Sequence, residues 1–274
     1  MLAIDETSKL LGGKVGIKTL TLFPFSEIIL TGLTLDSPDG ERCAEISKVA
    51  AGIDLWQLLS SRKIVLNYAE IIGMDISVSQ DSIGSPTSIQ FLIDALSSKD
   101  KTKPPTIFNL KIRNVVIRNS KASFHREWLK DKSGKRSPFA DLKIERLRMD
   151  LSIPALKNDD YRFNIRNMQF DVTPDVNVRS LTADIEYIKS DNPGDDRLIV
   201  KDFNIHFPHS FLTIDDLNLP LSNLTDIKTR IAGSVSPSDF CVFFPQLKVL
   251  DSPWDLNIAA YYSEKVISVD EFIL

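Results

Sequence analysis

Phe163-Asn-Ile-Arg-Asn-Met-Gln-Phe-Asp-Val172 places an apolar side chain at every second residue, except where Arg166 and Asn167 stand together. Alternation with period two is the pattern of a half-buried strand. One extra residue would throw the rest of that strand onto the opposite face. A β-bulge absorbs the residue, keeps the apolar side in phase, and adds twist and bend. The same phrase, apolar-x-x-apolar, recurs at Ile17–Leu20, Leu30–Leu33, Ile71–Met74, Ile112–Val115, Ile144–Leu147, Val178–Leu181, Val200–Phe203 and Ile214–Leu217. The chain is therefore expected to be mostly β. The pattern predicts an elongated, strongly curved antiparallel sheet of bulged strands, groove-like or folded like a taco, with a few short helices.

Neighbouring phrases come in pairs. Pro24–Glu27, the region of Thr173–Asp175 and Pro208–Ser210 are short enough to close antiparallel hairpins. Helical turns are expected at Asp5–Leu11, at Asp54–Ser60, at Ser88–Leu96 behind a capping Ser88, and near 236–247. In the last, Pro237 suits the first helical position, Asp239 favours the dipole, and Pro245 ends or kinks the helix. The stretch Ser97–Pro105 is charged, lacks apolar residues and closes on two prolines, so it reads as a linker. It divides the chain into a module over 1–100 and a longer curved-sheet module over 101–274.

Composition fits a folded chain able to bury a sizeable core, with 43% hydrophobic residues over 274 positions. Fifteen Phe against five Tyr suit a dry lining better than a hydrogen-bonding recognition surface. Cys43 and Cys241 are far apart in sequence; a bridge between them is conceivable, but two small buried hydrophobes is the favoured reading. No apolar run reaches the length of a membrane span. Met1–Glu6 has neither the basic start nor the long apolar centre of a secretory signal. That fits a cytoplasmic chain, or one that begins after a membrane anchor.

Net charge is −4, but its distribution is uneven. Between Lys111 and Arg148 twelve cations face only Glu127, Asp131, Asp141 and Glu145, giving +8 there and −12 elsewhere. Such a patch could meet nucleic acid or anionic lipid headgroups. It could equally be the solvated outer side of two strands, and the alternation favours that reading. Within it, Ser123–Ser137 looks like an exposed hairpin tip, so Arg126, Lys130, Lys132, Lys135 and Arg136 are the candidate headgroup contacts.

Chemistry-bearing motifs are missing from the sequence. His206 and His209 have metal-ligand spacing but no acidic or Cys cluster to complete a site, so a solvated turn is expected and no metal. Leu11–Lys14 lacks the spacing of a phosphate loop, and no nucleophile elbow occurs. The adjacent pairs Asp159-Asp160, Asp195-Asp196 and Asp215-Asp216 would point to opposite faces of a strand or sit in turns. No catalytic residue, cofactor or nucleic-acid partner is expected. The chain reads as a non-enzyme.

The run Val15–Gly40, the segment Ile46–Leu55, and Ile231–Phe240 followed by Phe243–Leu247 resemble the AsmA-like proteins, and the TamB branch of the Bacteroidetes type in particular. The resemblance rests on patterned hydrophobics over most of the chain. It implies a long curled sheet with a continuous apolar groove, tethered to the inner membrane of Gram-negative cells and spanning the periplasm. It also implies roles in moving phospholipid towards the outer membrane and in assembling outer-membrane proteins. The sequence departs from that family pattern in carrying no preceding membrane helix and in its shorter length.

The residues lead to a similar place unaided. Ile17, Leu20, Leu22, Leu110, Ile112, Val115, Ile144, Leu147, Met149, Ile165, Met168, Phe170, Val200, Phe203, Ile205, Ile214 and Leu217 share the apolar phase. Together they exceed the exposed patch that a soluble monomer tolerates. Either the sheet closes on itself as a sandwich, or a groove remains for phospholipid or another acyl-chain lipid. The alternative function is a structural or chaperone module that assists outer-membrane β-proteins by pairing at its edge strands. An enzyme on a β-sandwich is the third and weakest reading.

Overall fold

The computed structural model describes residue 8 and residues 12–23, 27–53, 64–92, 110–126, 128–129, 134, 137, 139–156, 160–173, 175–188, 196–220, 227–250, 252–263 and 266–273. Fourteen strands form one sheet. In chain order they are β1 (Lys14–Gly16), β2 (Thr19–Phe23), β3 (Glu27–Asp36), β4 (Arg42–Ile53), β5 (Ile64–Ser79), β6 (Leu110–His125), β7 (Asp141–Leu156) and β8 (Asp160–Val172). There follow β9 (Val176–Ile188), β10 (Arg197–His206), β11 (Phe211–Pro220), β12 (Ile227–Val235), β13 (Trp254–Ser263) and β14 (Val266–Ile273). Two short 3-10 turns, η1 (Pro237–Asp239) and η2 (Pro245–Val249), lie between β12 and β13.

Spatial order follows chain order, β3 through β14, with β1 and β2 end to end along β3 as one interrupted edge strand. The sheet is curved and open: β1 and β2 form one edge and β14 the other. The three short hairpins read from the sequence are present as β2–β3, β8–β9 and β10–β11. One junction departs from the expected antiparallel pattern. β5 and β6 pair in parallel, from Ile64 beside Leu110 to Ser79 beside His125. A parallel neighbour requires a crossover, and residues 80–109 supply it. The linker read at 97–105 falls in that crossover and lies outside the described residues, while the sheet itself runs unbroken from β5 to β6.

The repeated phrases sit where the ladders are irregular. Registers shift between Ile112 and Val115, between Glu145 and Arg148, and between Ile165 and Met168. They shift again between Lys201 and Asn204. The third residue of the phrase takes a left-handed backbone at Gly32 (φ 59), Gly73 (φ 65), Arg146 (φ 53) and Asp202 (φ 50). That conformation re-aims the chain by one residue, so the next apolar side chain returns to its own face. A further copy, Ile117-Arg-Asn-Ser120, has Asn119 at φ 51. It ends on a serine and escapes a search for paired apolar residues.

The chain exposes 17726 Å2, where a compact monomer of this mass exposes about 12,000 Å2. The buried cluster of Ile112, Val115, Ile117, Leu147 and Leu151, with Leu66, Ile71, Met74 and Met168 around it, spans the β5–β6 junction and stands on one face of the sheet.

The helical expectations fare differently. Those at 5–11 and 54–60 fall outside the described residues, apart from Ser8. At 88–96 a turn begins at Gln90, but Ser88 Oγ accepts the backbone N–H of Ser79 at 3.0 Å rather than capping it. Near 236–247 there is no continuous helix. Phe240–Phe244 separates the two 3-10 turns, and Pro245 opens the second instead of ending the first.

The bulge geometry makes a stability prediction. A Cβ on Gly73 would lie 2.6 Å from Ser47 Oγ at a positive φ, so Gly73→Val should cost about 2–3 kcal/mol. Arg146→Gly, at an exposed side chain, should change stability by less than about 1 kcal/mol in either direction. Urea midpoints of the two variants check the contrast.

Candidate functional site: an apolar face running across the strands

Register determines which residues share a face. Leu20 stands opposite Leu30, Leu30 opposite Val49, Val49 opposite Ile71, and Ile71 beside Ile117. The row continues from Ile117 to Met149, Met168, Leu181 and Ile205. It ends through Leu212 and Gly233 at Leu256. Twelve strands therefore contribute one uninterrupted apolar line, about 50 Å long at the usual strand spacing. On the opposite face a comparable row reads Ser152, Asn164, Asp184, Lys201, Asp216. Over β7–β11 the two faces therefore differ in chemistry.

The structure brings the predicted lining residues onto that apolar face. Ile112, Val115 and Leu147 are buried. Ile17, Ile144, Met149, Ile165, Met168, Phe170, Val200, Phe203, Ile205, Ile214 and Leu217 are half-buried, covered by neighbours on their own face but not by a second layer. Leu20 and Leu22 stand at the edge strand, 57% and 62% exposed. Leu110 takes the register position between Ile64 and Leu156. Sequence reasoning missed the lining of β3–β5 (Leu30, Val49, Leu66, Ile71) and of β9 (Val176, Val178, Leu181, Ala183). Their alternation was visible, and Leu30, Ile71, Val178 and Leu181 stand in the repeated phrases themselves, but the sequence does not say which strands lie next to one another on one face.

Ser120 is a polar residue within the lining. It is 1% exposed, accepts the backbone N–H of Met74 at 3.2 Å, and donates to the Arg118 carbonyl at 3.0 Å. Its hydroxyl serves backbone groups left over by the bulge and presents nothing to a ligand.

Much of the basic stretch lies on the other side. Lys121 is paired with Asp75 at 2.8 Å and Arg146 with Asp171, on the polar face with Arg118, Lys143 and Arg148. A concavity of about 800 Å3 on this face is lined by Asn119, Lys121, Arg146, Arg148, Gln169 and Arg179, among others. The solvated-face reading therefore holds for the strands. Of the proposed headgroup contacts, Lys130, Lys132, Lys135 and Arg136 lie outside the described residues. Arg126 donates to the Phe139 carbonyl at 2.7 Å and sits over the Phe124 ring at 4.8 Å.

One feature of the apolar face was not foreseen. The chain between β12 and β13 runs as a strap over residues 236–250. Phe240 meets Phe207 edge-on at 5.0 Å, and Phe243 stacks on Phe139 at 5.0 Å. Phe139 belongs to the β6–β7 connection, five strand spacings from β12, or about 24 Å along the sheet. Beneath this end Ala140, Val176 and Val178 are almost completely buried. The strap is fastened by Asp239, 8% exposed, which accepts the His209 backbone N–H at 3.0 Å and the Ser210 hydroxyl at 2.6 Å and lies 3.1 Å from His209 Nδ1. Ser210 Oγ in turn accepts the Ser236 N–H at 2.8 Å. His209 is thus tied to a structural carboxylate, while His206 stacks on Phe211.

Among the described residues no three His, Cys, Asp or Glu side chains group as a metal site, and no helix is long and apolar enough to cross a membrane. Both cysteines are free thiols. No family model matches the sequence, and a search of curated proteins finds no match.

Two outcomes follow. Asp239→Ala leaves buried donors without an acceptor, so it should lower stability by about 2–3 kcal/mol and admit protease within 240–250, which urea titration and limited proteolysis would show. Burial pushes the Cys43 thiol up; the hydrogen bond with the Ser37 backbone opposes it, and Glu41 and then Asp36 add smaller upward effects. The neutral thiol is favoured in the fold, so this contribution is complete below the ordinary thiol pKa and lost as pH rises above it. Alkylation of Cys43 at pH 8 should be at least about tenfold slower in the native chain than in urea.

Proposed function

We propose that the protein is a non-enzymatic lipid-groove protein whose apolar face holds acyl chains. One observation carries the reading: the apolar line of twelve residues that crosses strands β2 to β13 without a polar interruption. A protein core needs no such line, because a core is closed by a second layer. Here the lining stays half-buried on a single curved layer, so apolar surface remains for a partner that needs no directional bonds. Each acyl methylene moved out of water contributes roughly 0.8 kcal/mol. The resemblance to AsmA-like and TamB proteins supports phospholipid as the cargo. On that resemblance the setting is the periplasm of a Gram-negative cell, tethered to the inner membrane, in service of outer-membrane biogenesis.

A specific feature favours the second reading as a structural or chaperone module. The edge strand β2, Thr19–Phe23, is exposed along its whole length and contains no charge or proline, the usual protections of a free edge. It could receive a strand of an outer-membrane client.

Native mass spectrometry with lipid extraction tests the groove. Phospholipid should co-purify with the chain and be lost on Ile165→Asp, Met168→Asp and Phe203→Asp, with the strand content by circular dichroism retained. A lipid-free stable monomer would sink the groove reading. Crosslinking from Thr19 or Thr21 to a β-client, with Met168 silent, would move the second reading ahead.

A further inference from the structure

We propose that the polar face carries a binding site for a soluble anion with two or more phosphate groups. The site is the concavity of about 800 Å3 where the bulges of β6 to β9 meet. Register builds it. β6 and β7 pair at Ile117–Met149 and again at Ser120–Leu147, which leaves Arg118 and Asn119 opposite Arg148. Arg148 is the ladder partner of Gln169. β8 and β9 pair at Met168–Leu181 and at Phe170–Val178, which leaves Gln169 opposite Arg179 and Ser180. Three arginines and a glutamine thus stand abreast on four adjacent strands, about 14 Å from first to last at the usual strand spacing. Arg148, Gln169 and Arg179 line the concavity and Arg118 flanks it. All three arginines are exposed.

Their want of partners sets these arginines apart. Elsewhere on the polar face cations meet carboxylates: Lys48 with Glu70, Lys121 with Asp75, Arg146 with Asp171 and Arg162 with Glu186. Among the described residues no carboxylate pairs with Arg118, Arg148 or Arg179, although Glu145 and Asp150 stand on β7 to either side of Arg148. Like charges at facing positions of neighbouring strands cost stability, and a chain of net charge −4 does not lack acids to place among them. A row that keeps its charge uncompensated in a concavity is complementary to an anion brought from outside. The type of cation narrows that anion. Guanidinium groups present planar forks that engage phosphate oxygens in pairs, and Gln169 adds an amide between the two forks that line the concavity. One phosphate fills one or two such forks, so a row of this length suits several phosphates on one molecule. The apolar line stands on the opposite face with the sheet between, so the ligand needs no acyl chain. The site does not depend on what the apolar face holds.

Isothermal titration of the full chain with inorganic tripolyphosphate at low salt tests the site. Saturable one-to-one binding is expected, weakened by added salt and at least about tenfold tighter than for orthophosphate. Arg148→Gln with Arg179→Gln, at exposed positions, should weaken it at least about tenfold. Arg162→Gln, which removes a paired cation of the same face, should leave the affinity within about twofold. A second readout separates binding from a structural role. Tripolyphosphate should raise the urea midpoint of the wild-type chain and not that of the double variant. Without ligand, the double variant should be no less stable than the wild type, since it relieves like charges. Vesicles containing phosphatidylglycerol should not compete for the site. No saturable binding, equal loss on Arg162→Gln, binding that survives the double substitution, a double variant destabilised without ligand, or competition by the vesicles overturns the proposal.

Discussion

Everything in this sheet depends on a single backbone constraint, the left-handed residue that lets a strand gain one position without turning over. A 16-residue strand such as β5, β6 or β7 would otherwise have to stay straight or lose its sidedness. At Gly73 the constraint is met by a residue with no Cβ; at Asn119, Arg146 and Asp202 it is met at a cost in backbone energy. Neighbouring bulges also coincide. Gly32 lies across from Ser47, and Ser47 from Gly73, each skipped by the ladder on both sides. Coincident bulges bend adjacent strands at the same height, so curvature accumulates across the sheet where isolated bulges would cancel into local twist.

Sidedness follows from that constraint, and chemistry follows from sidedness. Because each bulge preserves phase, all the polar residues that interrupt the alternation are delivered to one surface, where they pair as Lys48 with Glu70 or Arg162 with Glu186. Exposed pairs of this kind add little stability. Their service is to keep one face wet and so leave the other free to be dry. The strap then covers the dry face locally, using five phenylalanines and one carboxylate in place of a second sheet.

How much of this was legible in the sequence depends on whether a feature has a period. The bulged strands and the lining from Ile112 to Leu217 were legible because alternation with one slip is a pattern that few other structures produce. The copy at Ile117–Ser120 was not, since its last position is filled by a buried serine satisfying two backbone groups. The parallel β5–β6 pair was hidden for a different reason: alternation records which face a residue takes but not the direction of the neighbouring strand. The strap was hidden too. Phe240, Phe243 and Phe244 follow neither helical nor strand spacing, and the prolines beside them read as helix punctuation. Their partners, Phe207 and Phe139, are distant in sequence, and only the curvature of the open sheet puts them together.

The parallel junction divides the molecule in time as well as in topology. Apart from β1, which pairs with β3, each strand on either side of it pairs with its chain neighbour, so β2 to β5 and β6 to β14 are two meanders built from local contacts that can zip up one hairpin after another. The junction alone asks the chain to close a 30-residue connection before its pairing is rewarded, an entropic toll that grows only slowly with length. Yet a buried cluster spans it, with Ile112, Val115 and Ile117 packed against Leu66 and Ile71. The fold thus places a buried hydrophobic cluster at its parallel, non-local step. Until that step is taken, β5 and β6 each present a free edge sixteen residues long, the state in which the chain is most open to pairing with the wrong partner.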